Sequence, residues 1–103
     1  MSVKTVTLLA GATTGNGPIV SASAIYNQRG DKAAFLLRGL SGATATLYGG
    51  ITAVEAEMVP VVGAVDLEDG VTFIETVPGV FFQARIAGTS AIPVHASITG
   101  GGE

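Results

Sequence analysis

Short runs in which apolar and polar residues alternate recur along the whole chain, and they predict β-strands. The clearest run covers residues 43–48, where two alanines and Leu47 occupy one face and two threonines and Tyr48 occupy the other. Residues 33–38 form a short, strongly apolar run, typical of a strand that is buried on both faces. No apolar period of 3.6 residues persists for three turns, and the one helix-like stretch, residues 53–58, is too short to form an amphipathic helix.

Eight strands are predicted in this way, and glycine-rich turns separate them. The predicted strands cover residues 4–10, 19–26, 33–38, 43–48, 57–65, 71–77, 80–87 and 92–99. The main turns cover residues 11–17, 39–42, 49–50, 69–70, 78–79 and 88–90. Short strands at spacings of about 8–12 residues indicate an antiparallel sandwich. We therefore predict an all-β fold: a single antiparallel β-sandwich domain of about eight short strands, jelly-roll or immunoglobulin-like, over residues 1–99, with an extended N-terminal strand and a flexible glycine-rich tail at 100–103.

The last two predicted strands carry the most explicit assignment of faces. Alternation places these side chains toward the core: Val80, Phe82, Ala84, Ile86, Ile92, Val94, Ala96 and Ile98. It places these side chains outward: Phe81, Gln83, Arg85, Pro93, His95 and Ser97. Pro60, within the predicted strand 57–65, indicates a sheet edge or a bulge because proline cannot donate to a strand ladder.

The composition favours a subunit over a free monomer. Of the 103 residues, 48% are hydrophobic and 13% are charged, against about 25% charged in an ordinary domain. A small domain with so few charges must leave part of its surface apolar, and large apolar patches usually mark contacts with other molecules. Five basic residues are scattered and the net charge is −3, which argues against a nucleic-acid partner. No run of about 18 apolar residues exists, so no membrane span is predicted.

The glycine-rich stretch LLAGATTGNGPIV, residues 8–20, invites comparison with phosphate-binding loops. A P-loop needs a lysine followed by Ser or Thr after its second glycine, and a dinucleotide-binding loop must open a helix. This stretch has no lysine and leads into another predicted strand. We interpret it as a structural connection.

Other candidate chemistry is sparse. Asp66, Glu68 and Asp69 form an acidic cluster that fits a hairpin turn at Asp69-Gly70 better than a calcium loop, although calcium stays an open alternative. Glu55 and Glu57 would share one face of an extended segment, about 7 Å apart. They could act as acid and base, but a solvated strand edge is the favoured interpretation.

The remaining candidates have no catalytic partners in the sequence. His95 is the only histidine and there is no cysteine, so no metal site, no cofactor and no enzymatic activity are predicted. A carbohydrate-binding module would need exposed aromatic platforms, and only Tyr26 and Tyr48 could serve.

Three sequence features together suggest a family. They are Leu8-Leu9 before the loop GATTGNG, the strand ATATLYGG at residues 43–50, and the late strand VFFQARI at 80–86 after Pro78-Gly79. In this order of strands the chain resembles the small β-sandwich virion structural proteins of tailed bacteriophages, which include capsid decoration (cement) proteins and tail-associated proteins.

The resemblance implies a non-enzymatic virion structural protein, first of all a capsid decoration protein that binds and stabilises the assembled head. Its partners would be the major capsid protein or other virion proteins, and further copies of itself, with a trimer as one option. It would lie on the capsid surface of the virion rather than in the tail, after synthesis in the host cytoplasm. The alternatives are a tail, neck or baseplate component and a carbohydrate-binding β-sandwich module.

Four residues are singled out as interface residues: Lys4, Val6, Phe81 and Arg85. Phe81 leads because outward aromatic side chains at interface centres often carry a large share of the binding energy. The strand that holds Lys4 and Val6 could also add to a neighbouring sheet.

Overall fold

The structure, a computed structural model, describes residues 3–21, 32–75 and 81–101 and confirms that the chain is all-β. The strands are β1 (Val3–Asn16), β2 (Val20–Ser21), β3 (Lys32–Arg38), β4 (Thr44–Gly50), β5 (Val59–Pro60), β6 (Gly70–Glu75) and β7 (Phe81–Gly101). One 3₁₀ turn, Glu55–Glu57, lies between β4 and β5 within this part of the chain.

β7 is the centre of one seven-stranded antiparallel sheet. Residues 81–87 of β7 pair with β4, and residues 95–99 pair with β3. β1 and β2 also pair with β7, and β1 follows it over most of its length. β5 lies outside β4, and β6 lies outside β3. Both ends of β7 are therefore flanked on two sides, and its side chains are placed by four neighbouring strands.

Three segments predicted as turns lie wholly or largely inside strands, so the described residues form seven strands rather than about eight short ones. β1 continues through residues 11–16, β4 includes Gly49 and Gly50, and β7 continues through residues 88–90. Gly11, Gly15 and Gly88 have positive φ angles of 98°, 85° and 91°, and the register of β1 against β7 shifts near the first two. Glycines in this conformation absorb an extra residue as a bulge, so the strand bends and continues.

The sheet curls like a half-barrel. The residues that the structure describes form this one sheet rather than two separate facing sheets. Other predicted strand boundaries are confirmed: residues 39–43 separate β3 from β4, and Asp69 precedes β6. Pro60 lies in an edge strand, as predicted. Gly100 and Gly101, from the predicted flexible tail, pair with β1 as part of β7. Of the predicted strand 19–26, only its first three residues are among those described.

The core lies inside the curl and draws on both halves of β7. Its fully buried side chains include Phe35, Leu37, Leu47, Val94 and Ile98. The inward assignment is confirmed for these side chains of β7: Phe82, Ala84, Ile86, Val94, Ala96 and Ile98. The predicted inward residue Val80 lies outside the described residues.

Two exposures expected from the alternation along β7 are wrong. Ile92 is 52% exposed, because the Ser90 hydroxyl bonds to the backbone O and N of Ile92 (2.7 and 3.4 Å) and the strand is distorted there. Gln83, placed outward by alternation, is only 2% exposed, because another segment of the chain covers this face of the sheet.

The turn between β3 and β4 is locked against the bend of β7. The Ser90 hydroxyl bonds to the carbonyl of Gly39 (2.8 Å) and accepts the N–H of Ser41 (3.1 Å). The two carboxylate oxygens of Asp69 accept the N–H groups of Gly39 (3.0 Å) and Leu40 (2.8 Å). The acidic turn residue therefore joins the start of β6 to the end of β3.

Candidate interaction surface

The connection from β4 to β6 exposes more aliphatic surface than its position beside the sheet would suggest. We call residues 51–65 the valine loop. Its exposed aliphatic side chains are Ile51, Val54, Val59, Val62 and Val65, with Ile51 86% and Val62 94% exposed. Exposed apolar side chains concentrated in one segment mark contact sites more often than scattered ones do.

The valine loop is held against β4 by its backbone and by two buried side chains. The N–H of Leu47 donates to the carbonyl of Ala64 (3.0 Å), and the N–H of Val61 donates to the carbonyl of Leu47 (2.8 Å). Met58 and Ala64 are buried. Hydrogen bonds to β4 therefore fix the backbone that carries the exposed valines.

Glu55 ties the 3₁₀ turn of the valine loop to the sheet. Its Oε1 accepts from Nε2 of Gln83 (2.9 Å), and its Oε2 accepts from Nδ2 of Asn16 (3.1 Å). Its backbone carbonyl accepts from Nη2 of Arg85 (2.9 Å). Side chains from β1 and β7 thus hold one residue of the loop at three atoms.

Gln83 is the buried centre of this network. Its Nε2 also donates to the carbonyl of Gly17 (2.8 Å), and its Oε1 accepts from Nε of Arg85 (2.8 Å). The guanidinium of Arg85 lies over the ring of Tyr48, 3.7 Å from the ring centre, which is a cation–π contact. Both the amide nitrogen and the amide oxygen of Gln83 are therefore hydrogen-bonded within the network.

The hydrogen bonds from Gln83, and then from Asn16, lower the pKa of Glu55 below its ordinary value of 4.5. The positive charge of Arg85 acts in the same direction, while desolvation opposes it. Hydrogen bonds to a carboxylate favour its charged form, so Glu55 is ionised at neutral pH. Its environment makes it an anchor for the loop.

The four predicted interface residues are spread over the sheet. Arg85 bonds the valine loop, and Phe81 is half-buried beside Gly50, where the loop begins. Val6 is half-buried against the core on the other half of β7. Lys4 pairs with Gly100, and its side chain lies outside what the structure describes.

Sequence reasoning missed the valine loop itself. The signal is the run VPVVGAV, residues 59–65, which has no charge, but it lies in the segment 57–65 that is predicted to be an extended strand. Only Val59 and Pro60 are in a strand there.

The predicted pairing of Glu55 with Glu57 is wrong. The two residues lie in a 3₁₀ turn rather than in an extended segment. Glu55 bonds Gln83 and Asn16, whereas Glu57 accepts the hydroxyl of Thr52 (2.7 Å). The carboxylates serve as separate fixing points of the loop.

The acidic cluster acts as a turn in the structure. Asp69 caps the β3–β4 turn, and the N–H of Asp66, which has a positive φ of 52°, donates to the Thr46 hydroxyl (2.9 Å). Among residues 3–21, 32–75 and 81–101, no group of three or more His, Cys, Asp or Glu side chains is placed to hold a metal ion.

Of the remaining candidates, His95 lies on the other half of β7 and Tyr48 lies beside the valine loop, where it pairs with Pro60. His95 is exposed and lines a shallow cleft of about 170 Å³ with Arg38 and Ser97. One face of Tyr48 is covered by Arg85, so that face cannot receive a sugar ring, and Tyr26 lies outside the described residues.

Comparison of the chain with protein-family models, with curated proteins and with solved structures finds no match. The resemblance to virion proteins therefore rests on the sequence patterns. In the described part of the chain no helix has the length and apolar character needed to cross a membrane.

Proposed function

We propose that this protein is a non-enzymatic phage virion structural protein that decorates the assembled capsid and docks on it through the valine loop. One observation carries the proposal: a set of exposed aliphatic side chains stands on a backbone that Glu55, Gln83 and Arg85 fasten to the sheet. The sequence resemblance favours a virion protein, and the valine loop would make the contact with the capsid.

A prearranged apolar surface suits a protein that binds in many copies. Burying an exposed valine or isoleucine side chain contributes about 1.5–3 kcal/mol. A loop that is already ordered loses little further entropy when it binds, so more of this energy appears as affinity. A contact of modest strength, repeated over a symmetric shell, raises the free energy needed to separate the shell subunits.

The charges beside the valine loop indicate the chemistry of its partner. The loop carries Glu55 and Glu57, and no Lys or Arg occurs between Arg38 and Arg85. An apolar surface rimmed by Lys or Arg would complement it, and such charges speed encounter and exclude wrong partners.

We also propose a jelly-roll or immunoglobulin-like sandwich, in which bent strands contribute to two layers. One observation supports this: both halves of β7 contribute side chains to one core.

The test uses decoration-free heads of the phage that encodes the chain. Purified protein is mixed with these heads and, in parallel, with isolated tails, and bound protein is measured after sedimentation. We expect saturable binding to heads with a fixed number of copies per head. Binding to tails alone would transfer the proposal to a tail, neck or baseplate component, and binding to neither would refute it.

Variants locate the contact on the valine loop. Ile51→Asp and Val62→Asp should each weaken binding to heads at least about tenfold, because a buried carboxylate replaces an apolar contact. Ile92→Asp is the matched control, since Ile92 is also exposed but lies in the bend of β7. All three should keep the wild-type melting temperature; equal loss of binding in the control would exclude the loop as the docking site.

A further inference from the structure

The two ends of the sheet differ in how they are protected against pairing with other strands. β5 has only two residues and contains Pro60, which has no N–H to donate. β6 has six residues, Gly70–Glu75, and none of them is proline or lysine. None of the residues that the structure describes pairs with the outer edge of β6. Natural proteins usually shield such an edge with Pro, Lys, a bulge or a short strand.

The outer face of β6 is apolar as well. Phe73 is 65% and Val71 55% exposed, and they lie on the same side of the strand because they are two residues apart. Val71 pairs with the half-buried Leu36 of β3, so the apolar surface continues into the sheet. Residues 70–74 carry no charge, so no like charges meet within this stretch when it pairs with a second copy, and Asp69 and Glu75 flank it.

We propose that β6 pairs with β6 of a second copy, antiparallel and about a two-fold axis at Thr72, so that the two sheets become one. In this register Val71 lies opposite Phe73 of the second copy, and the same pair recurs across the axis. Aromatic and β-branched side chains directly opposite each other stabilise antiparallel strands. Only the register in which Thr72 lies opposite Thr72 of the second copy makes both of these pairs.

The area of the contact sets its strength. A stable dimer buries about 800 Å² on each partner. A six-residue strand is about 20 Å long, and with its side chains about 10 Å thick, so the edge buries roughly a quarter of that area. The dimer is therefore weak in dilute solution and forms where copies are concentrated. The proposal concerns copies of this chain alone and does not depend on binding to a capsid.

A single cysteine tests the register directly, because the natural chain has none. In Thr72→Cys the two Cα atoms across the axis would be about 4.5–5.5 Å apart, which a disulfide can bridge. We expect this variant to form a covalent dimer in a glutathione redox buffer at least about tenfold faster than Ser97→Cys. Ser97 is the matched control: it is also half-buried, but its strand is flanked by β1 and β3.

A second substitution separates pairing from random collision. Phe73→Lys places a charge on the exposed face of the edge and should reduce the cross-linking of Thr72→Cys to the control rate, with an unchanged melting temperature. Rapid cross-linking that Phe73→Lys does not slow, or a rate equal to that of Ser97→Cys, would refute the proposal.

A measurement without cysteine covers the case in which Thr72→Cys does not fold. The average mass of the wild-type protein, from sedimentation equilibrium, should rise toward that of a dimer at about 1 mM, the range expected of a small contact. The mass of Phe73→Lys should stay that of a monomer. A monomeric wild type at that concentration would overturn the proposal.

Discussion

At the scale of single residues, Gln83 shows how a polar side chain comes to be buried on a face that alternation assigns to solvent. The residue has the expected phase on β7, opposite to its buried neighbours Phe82 and Ala84. The valine loop then folds over that face and brings Glu55 to it. Periodicity reports which side of a strand a residue occupies, but it cannot report that a distant loop covers the other side.

Gln83→Leu should lower the free energy of unfolding by about 1–3 kcal/mol, because it leaves the carbonyl of Gly17 and one oxygen of Glu55 without their donor. Urea denaturation would measure the loss. Thr7→Leu, at an exposed position of β1, is the control and should change stability by less than about 0.5 kcal/mol. A loss as small in Gln83→Leu would show that the network contributes little.

Glu55 predicts a direction for the dependence of stability on pH. Its pKa in the folded protein lies below 4.5, so the ionised form stabilises the fold above pH 4.5, and this contribution is lost as the pH falls through the folded pKa. Glu55→Gln has one acceptor oxygen instead of two, so one amide donor loses its partner.

We therefore expect Glu55→Gln to be less stable than wild type at pH 7 and to lose less stability as the pH falls below 4.5. Thermal melts over this range would show it. Glu57→Gln changes the net charge equally in the same turn and controls for that effect. Parallel stability curves for Glu55→Gln and wild type would contradict the role given to the carboxylate.

At the scale of elements, the bend of β7 against the β3–β4 turn depends on one glycine. Gly39 has a φ of +94°, and a Cβ there would lie 2.1 Å from the carbonyl oxygen of Pro93. Left-handed backbone alone costs a side chain about 1–3 kcal/mol. The close approach adds a clash with backbone, which cannot move aside as a flexible side chain can.

Gly39→Ala should therefore lower the free energy of unfolding by more than the cost of left-handed backbone alone, by at least about 3 kcal/mol. Gly42→Ala measures the cost of left-handed backbone by itself, since Gly42 also has a positive φ of 81° but no atom lies within 4 Å of the added methyl group. Chemical denaturation of both variants gives the comparison. Equal losses would mean that the approach of Pro93 is relieved at little cost.

The elements were predictable where local patterns decide them. Residues 43–48 alternate cleanly, and β4 lies there with the expected face buried. Glycines were ambiguous, because the same residue forms a turn at 39–42 and a bulge at Gly11 or Gly88. Which of the two forms depends on whether a partner strand continues beside it, and that is a tertiary property.

At the scale of the whole molecule, the sequence predicted an apolar surface but placed it poorly. Low charge and high hydrophobic content indicated exposed apolar side chains, and these are present at Val62 and Phe73. Phe81 was singled out instead, because it alternates with core residues, yet it is half-buried beside Gly50. Exposure outside regular strands cannot be read from periodicity, since a loop has none.

The central place of β7 has a consequence for how the chain folds as it is made. β1 and β2 pair with β7 and with no other strand in the described residues, although β7 is the last of the seven to leave the ribosome. β1 and β2 therefore stay without their partner until β7 has been made. Such sequence-distant pairing is slow to form, on the scale of milliseconds to seconds.

A chain that ends at residue 80 should accordingly show no cooperative unfolding transition and exchange its amide hydrogens at random-coil rates. Protected amides in β3 and β6 of that fragment would show instead that a hairpin-like part forms early. Synthesis of β7 is then the event that commits the six strands before it to the native fold, so β1 stays without its partner while β2 to β6 are made.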